Sequence, residues 1–149
     1  MDLEGVVFEA NQSMDDARMP IYHTNVMMAV GTGWAAVCLD SIDHPDDRAL
    51  VMDSLQQDGL TVVDLSEDQI SRFAGNMLEV QTTQGETLIV MSQRAFEVLT
   101  PTQRETLGQF GTLVHNDLNT IETCGGGSAR CMMAEVHLPR PAQTNDAHA

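Results

Sequence analysis

Cys131 follows three glycines in the run Gly125-Gly126-Gly127-Ser128-Ala129-Arg130-Cys131-Met132. Consecutive glycines lose much backbone entropy on folding and offer no side chain to pack, so they make poor helices and poor strands. They are useful where backbone must come very close to something. Here the run delivers a thiol to the head of an apolar segment, Met132 to Leu138. A cysteine held beside the N–H groups of a glycine-rich turn is placed to act as a nucleophile. A second group able to do chemistry, His23 in Tyr22-His23-Thr24-Asn25, lies more than a hundred residues upstream. An imidazole that reached the thiol would supply proton transfer, completing a nucleophile and acid–base pair.

Rival chemistries fit these residues less well. His23, Cys124, Cys131 and His137 are zinc-type ligands, but they lack the short paired spacings of structural zinc sites. Ser128 is not a hydrolase elbow, because the residue two after it is Arg130 and not glycine. The glycine run is no phosphate loop, because the chain has no lysine. Cys38, inside the apolar run Trp34 to Leu39, reads as a small buried hydrophobe, and Cys124 as a bystander or an oxidation partner of Cys131.

The composition narrows the class. A chain of 149 residues with 42% hydrophobic content can bury one real core. The net charge of −15, with seven arginines as the only strong cations, argues against nucleic acid and anionic membrane as partners. The acid excess fits adaptation to high salt, and the missing lysine fits genomic base bias equally. No secretory signal and no apolar run of membrane-spanning length is evident, so a reducing, cytoplasmic setting with free thiols is expected. The tail, Arg140 to Ala149, is expected to fray.

The elements that must position Cys131 and His23 come from a weak repeat of about fifty residues. Asn25 to Val30, a Gly31-Thr32-Gly33 turn and Trp34 to Leu39 read as a hairpin. Asn76 to Gln81, a turn with Gly85 and Thr87 to Met91 read as another. Helices are expected from Asp43 through Gln57, after Ser92, and from Thr100-Pro101 to Gly111. A closing strand follows each copy, at Thr61 to Leu65 and at Thr112 to His115. Ser66 to Phe73 reads as a short connecting helix and Asn119 to Thr123 as extended. A third copy is expected to open with a strand from Cys131 to Val136, and Gly5 to Glu9 to close a preceding unit. If the copies surround an axis, His23/Asn25, Asn76 and Cys131 come together at one point.

Pro20 to Met28, Phe73-Ala74-Gly75-Asn76-Met77-Leu78-Glu79 and Gly125 to Met132 together resemble the guanidine-modifying, or amidinotransferase, superfamily. The likeness is greatest to its citrulline-utilisation hydrolase branch, related to arginine deiminase and dimethylarginine dimethylaminohydrolase. It runs from about residue 5 to residue 139. The resemblance implies an α/β fold, a partial pentein (α/β propeller) of strand-strand-helix-strand modules around a substrate on the axis. Residues 1–139 would form the C-terminal portion, about two and a half modules. It implies Cys131 as nucleophile toward a guanidino or ureido carbon and His23 as general acid/base, with no metal or organic cofactor. Asn25, Asn76 and Arg130 are the expected substrate contacts, Arg130 toward a carboxylate. The asparagines also suit the head of a strand, bonding local backbone, and Arg130 suits a solvated charge.

Two departures from the family pattern stand out. Asn25 occupies the place where arginine deiminases carry a guanidinium-binding aspartate, and a neutral amide suits a ureido group better. The family's N-terminal carboxylates have no counterpart before His23, where Glu4 and Glu9 are the only glutamates. The expectation is a cysteine-dependent hydrolase or amidinotransferase acting on an arginine- or citrulline-like amino acid. The alternative is a non-catalytic fragment or subunit that needs the missing modules, by self-association or by a separate N-terminal half.

Overall fold

The computed structural model describes residues 5–134. His137, the far end of the segment after Met132 and the Arg140–Ala149 tail lie outside them. A hairpin comes first, β1 (Asn11–Met14) against β2 (Ala17–Pro20). Then follow α1 (Thr24–Met27), β3 (Met28–Gly31), β4 (Trp34–Val37), α2 (Pro45–Gln57) and β5 (Thr61–Asp64). After α3 (Glu67–Ser71) come β6 (Leu78–Gln81), β7 (Thr87–Ser92), α4 (Gln93–Val98), α5 (Pro101–Gly108) and β8 (Thr112–Asn116). α6 (Asn119–Gly125) leads into a single 3-10 turn at Arg130–Met132.

The strand-strand-helix-strand unit occurs twice with one topology. β3 pairs antiparallel with β4 (Met28↔Val37, Gly31↔Trp34), and β4 pairs parallel with β5 (Trp34↔Thr61). β6 pairs antiparallel with β7 (Leu78↔Val90), and β7 pairs parallel with β8 (Leu88↔Thr112). Each parallel pair needs a crossover, which α2 provides in the first unit and α4 with α5 in the second. The helices begin where local chemistry directs. Ser66 and Thr100 are N-caps whose capping boxes are closed by Gln69 and Gln103, and Pro45 and Pro101 occupy first turns.

Four local expectations are corrected. Asn25, Val26 and Met27 are helical and the strand starts only at Met28, because Val26 N–H bonds the His23 carbonyl at 3.0 Å and Met27 turns inward to full burial. Gly5 to Glu9 is irregular, and the hairpin that follows turns at Asp15 with φ +53°. Asn119 to Thr123 is helical despite its β-branched residues. Asp117 accepts the Asn119 N–H at 2.8 Å, and the burial of Glu122 fixes the turn that follows. Cys131 opens no strand, because its N–H and that of Met132 bond back to Ser128 and Ala129 and wind a 3-10 turn.

The core is one cluster centred on Trp34, Met27, Ile42, Met77, Ile89, Met91, Leu99 and Leu107, all buried. Polar side chains stitch the two units across it. Gln69 Nε2 donates to Gln103 Oε1 at 2.7 Å, so the two capping glutamines also join α3 to α5. Glu79 on β6 accepts from the Thr32 N–H (2.9 Å), the Thr32 hydroxyl (2.7 Å) and the Trp34 indole (2.8 Å) of the first unit. Arg18 ties the hairpin down by pairing with Asp43 and Glu67. No helix among the described residues is long and apolar enough to cross a membrane.

Burial opposes ionisation of Glu79, but the bonds from Thr32 and Trp34 outweigh it and hold the carboxyl below its usual value. A carboxylate with a lowered folded-state pKa stabilises fully above its unfolded value and loses that contribution as pH falls through the folded one. Glu79→Gln sets an amide N–H against donors and is expected to cost about 1–3 kcal/mol near neutral pH. In urea denaturation the gap between variant and parent should narrow below about pH 4. A gap independent of pH would refute the charged strut.

Candidate active site

Asn76 sits at the centre of the site and is 4% exposed. It is presented by a tight turn in which Phe73 adopts φ +66°, a conformation that costs a side-chain-bearing residue, and the Phe73 carbonyl accepts the Asn76 N–H at 2.8 Å. Gly75 lets this turn press against α1. A Cβ there would lie 2.4 Å from the Val26 carbonyl oxygen and 2.9 Å from the Met27 carbonyl carbon.

The neighbours of Asn76 determine how its amide is oriented. Oδ1 accepts the Arg130 N–H at 2.9 Å, so Nδ2 faces the Asn25 carbonyl (3.2 Å) and the Cys131 Sγ (3.2 Å). One buried amide thus joins α1, the second unit and the cysteine turn. Asn25 Nδ2 stands 4.0 Å from the same sulfur. The sulfur therefore has two amide N–H groups directed at it, where they can favour negative charge.

The glycine run forms a hinge between α6 and Cys131. Gly125 ends the helix and Gly126 caps it with φ +67°, a left-handed conformation that glycine adopts freely. Gly127 packs under the cysteine, and a Cβ there would lie 3.1 Å from Cys131 Cβ and 3.3 Å from Sγ. Ser128 is fully buried, and its hydroxyl donates to Glu122 at 2.6 Å.

His23, Asn25, Asn76 and Cys131 line one cavity of about 360 Å³, closed also by Gln12 of the hairpin, Tyr22, Phe73 and the backbone of Gly126 and Gly127. That volume lies in the range of small-molecule sites. None of the twelve described residues that line it is Asp, Glu, Lys or Arg. His23 takes the residue before α1, with extended backbone (φ −143°, ψ 134°), and its ring meets Tyr22 edge-on at 5.2 Å between centroids. Arg130 is not in the lining. Its backbone N–H serves Asn76, and its guanidinium donates to the Met133 carbonyl at 3.4 Å.

The sequence offers no pointer to Gln12, because nothing around it marks a hairpin beside the site. Glu122 likewise reads as an ordinary surface acid in a β-branched stretch. Cys38 is fully buried, and burial pushes its thiol up. Cys124 is exposed. No group of three His, Cys, Asp or Glu side chains among the described residues could hold a metal ion.

A family model described as N,N dimethylarginine dimethylhydrolase, eukaryotic, matches residues 1–138. Two solved structures share the fold. One is ArgZ, an arginine dihydrolase from the ornithine-ammonia cycle in Cyanobacteria, with TM-score 0.54, 18% identity and 74% of this chain covered. The other is the ternary complex of AgrE with ornithine and NAD+, with TM-score 0.59, 17% identity and 82% covered. The match spans only 15% and 16% of those two chains. No curated protein matches. At this identity the likeness establishes the fold, an α/β assembly of pentein modules.

Gly75→Ala should lower stability by about 1–3 kcal/mol, because the added methyl meets main chain that cannot swing aside. Thermal unfolding reads the loss. An unchanged midpoint would mean that α1 and the Asn76 turn are not pressed together as described.

Proposed function

We propose, from the premise that this chain belongs to the N,N-dimethylarginine dimethylhydrolase family, that it carries the thiol half of a hydrolase site for C–N bonds of a guanidino or ureido amino acid. The observation that carries this reading is the convergence of His23, Asn25, Asn76 and Cys131 on one cavity, with Asn76 Nδ2 3.2 Å from the sulfur.

In this reading the Cys131 thiolate attacks the guanidino or ureido carbon and forms a C–S bond. The tetrahedral adduct collapses, the C–N bond breaks, and His23 gives a proton to the departing amine. His23 then takes a proton from water, and the hydroxide adds to the thiol-bound carbon. The C–S bond breaks and the thiolate returns. Hydrolysis is preferred over amidino transfer because the family is a hydrolase family. Asn76 spends its amide on Arg130, Asn25 and the sulfur, so its proposed role is to hold and polarise the nucleophile. Asn25 keeps a side chain able to meet a neutral ureido oxygen or nitrogen.

A second reading keeps support from the same cavity. A guanidinium needs a carboxylate partner, and the cavity has none among the described residues. On this reading the chain is a non-catalytic fragment or subunit whose site is completed by further modules.

Labelling with a haloacetamidine, a guanidine-shaped electrophile, against iodoacetamide separates the two readings. Peptide mapping should place amidine-selective label on Cys131 over exposed Cys124 and buried Cys38, and His23→Ala should abolish the selectivity. Where turnover is detectable, His23→Ala should lower it by about 10²-fold or more. Slow, uniform labelling of Cys131 and Cys124 would instead make the incomplete site the leading reading.

A further inference from the structure

The proposed chemistry does not use one buried carboxylate. Glu122 lies on α6 with its side chain 1% exposed. Oε1 accepts the Ser128 hydroxyl at 2.6 Å, a short bond between two buried residues. Oε2 stands 3.4 Å from Arg94 Nε on α4 and has no hydrogen-bond partner among the described residues. Arg94 also donates to Asn119 Oδ1 at 2.7 Å, at the start of the same helix. A buried carboxylate is costly unless it is paired and bonded, and surface-exposed acids elsewhere in the chain show that charge alone did not require this one inside.

The path from Glu122 to the sulfur is short and continuous. Ser128 is clamped through its hydroxyl, and its carbonyl accepts the Cys131 N–H at 3.1 Å, starting the 3-10 turn that carries the thiol. Between Glu122 and Ser128 lie the three glycines, which alone would leave the turn free to drift. On the far side, Asn76 holds the Arg130 N–H. The cysteine turn is therefore pinned from two directions, by Asn76 from the cavity and by Glu122 from the interior.

Resting on the nucleophile reading above, we infer that Glu122 and Ser128 form a latch that positions Cys131. Arg94 supplies the countercharge beside the buried carboxylate. Neither latch residue lines the cavity, so both act through the backbone of the turn and are positioning residues. The latch explains how a glycine-rich loop can approach the sulfur closely and still hold it at one place. A displacement of about 1 Å of a reacting atom can cost about 10²-fold in rate.

The test compares amidine labelling of Cys131 with that of Cys124 in the same molecule. Cys124 is exposed on α6 itself, so it serves as the internal reference for an accessible thiol. Ser128→Ala should slow Cys131 labelling about tenfold or more while Cys124 is unchanged. Glu122→Gln keeps a carbonyl acceptor for the Ser128 hydroxyl and should retain most of the Cys131 rate, whereas Glu122→Ala should match Ser128→Ala. A merely structural role would lower the unfolding temperature of all three variants without changing the Cys131/Cys124 ratio in the folded state. An unchanged ratio in Ser128→Ala, or a loss in Glu122→Gln as deep as in Glu122→Ala, overturns the latch. If Ser128→Ala does not fold, the ratio in Glu122→Gln against Glu122→Ala decides, since the latch predicts loss only in the latter. A wild-type protein that labels Cys131 no faster than Cys124 would sink the nucleophile reading instead, which keeps the two failures apart.

Discussion

The site depends on a single buried amide. Asn76 has one acceptor and two donor hydrogens within reach, and each is committed: to the Arg130 N–H, to the Asn25 carbonyl and to the Cys131 sulfur. Those partners belong to stretches of chain far from Asn76 in sequence. A buried polar group left unpaired costs about 1–3 kcal/mol, so each partner is selected together with the others. The strained Phe73 backbone and the steric demand for glycine at 75 both serve to bring this amide to its place.

That placement holds only if the two pentein modules stay in register with each other. Apolar contact between them is non-directional, and packed side chains could slide by a fraction of an ångström at little cost. The polar struts supply direction. Glu79 accepts three hydrogen bonds from the neighbouring module, and Gln69 and Gln103 each close their own helix cap while bonding one another. The hairpin, tied down through Arg18, then brings Gln12 to the cavity. The fold has thus placed buried and half-buried polar groups at the joints of the modules.

Much of this was legible in the residues, for identifiable reasons. The repeat showed because hairpin turns, Pro at helix starts and Ser or Thr caps act locally, and Ser66, Thr100 and Pro101 behave as their types dictate. His23, Asn25, Asn76 and Cys131 could be singled out because they sit in three distinctive motifs. What the sequence hid was decided by distant partners. Asn119 to Thr123 has extended propensity, yet a buried Glu122 bonded to Ser128 and paired with Arg94 makes it helical. Cys131 reads as the start of a strand, yet the Asn76 bond to Arg130 and the back-bonds to Ser128 and Ala129 wind it into a turn. The role of Asn76 was similarly out of reach, because its partners lie 51 to 55 positions away.

The most direct test of this account is the rate at which Cys131, measured against Cys124 in the same molecule, reacts with a haloacetamidine in Asn76→Ala. The substitution removes the N–H aimed at the sulfur and the acceptor for Arg130 without touching His23. The account predicts that the preference for Cys131 disappears while the protein remains folded. A preference equal to that of the parent would contradict it, because the sulfur would then be held and polarised by something other than this amide.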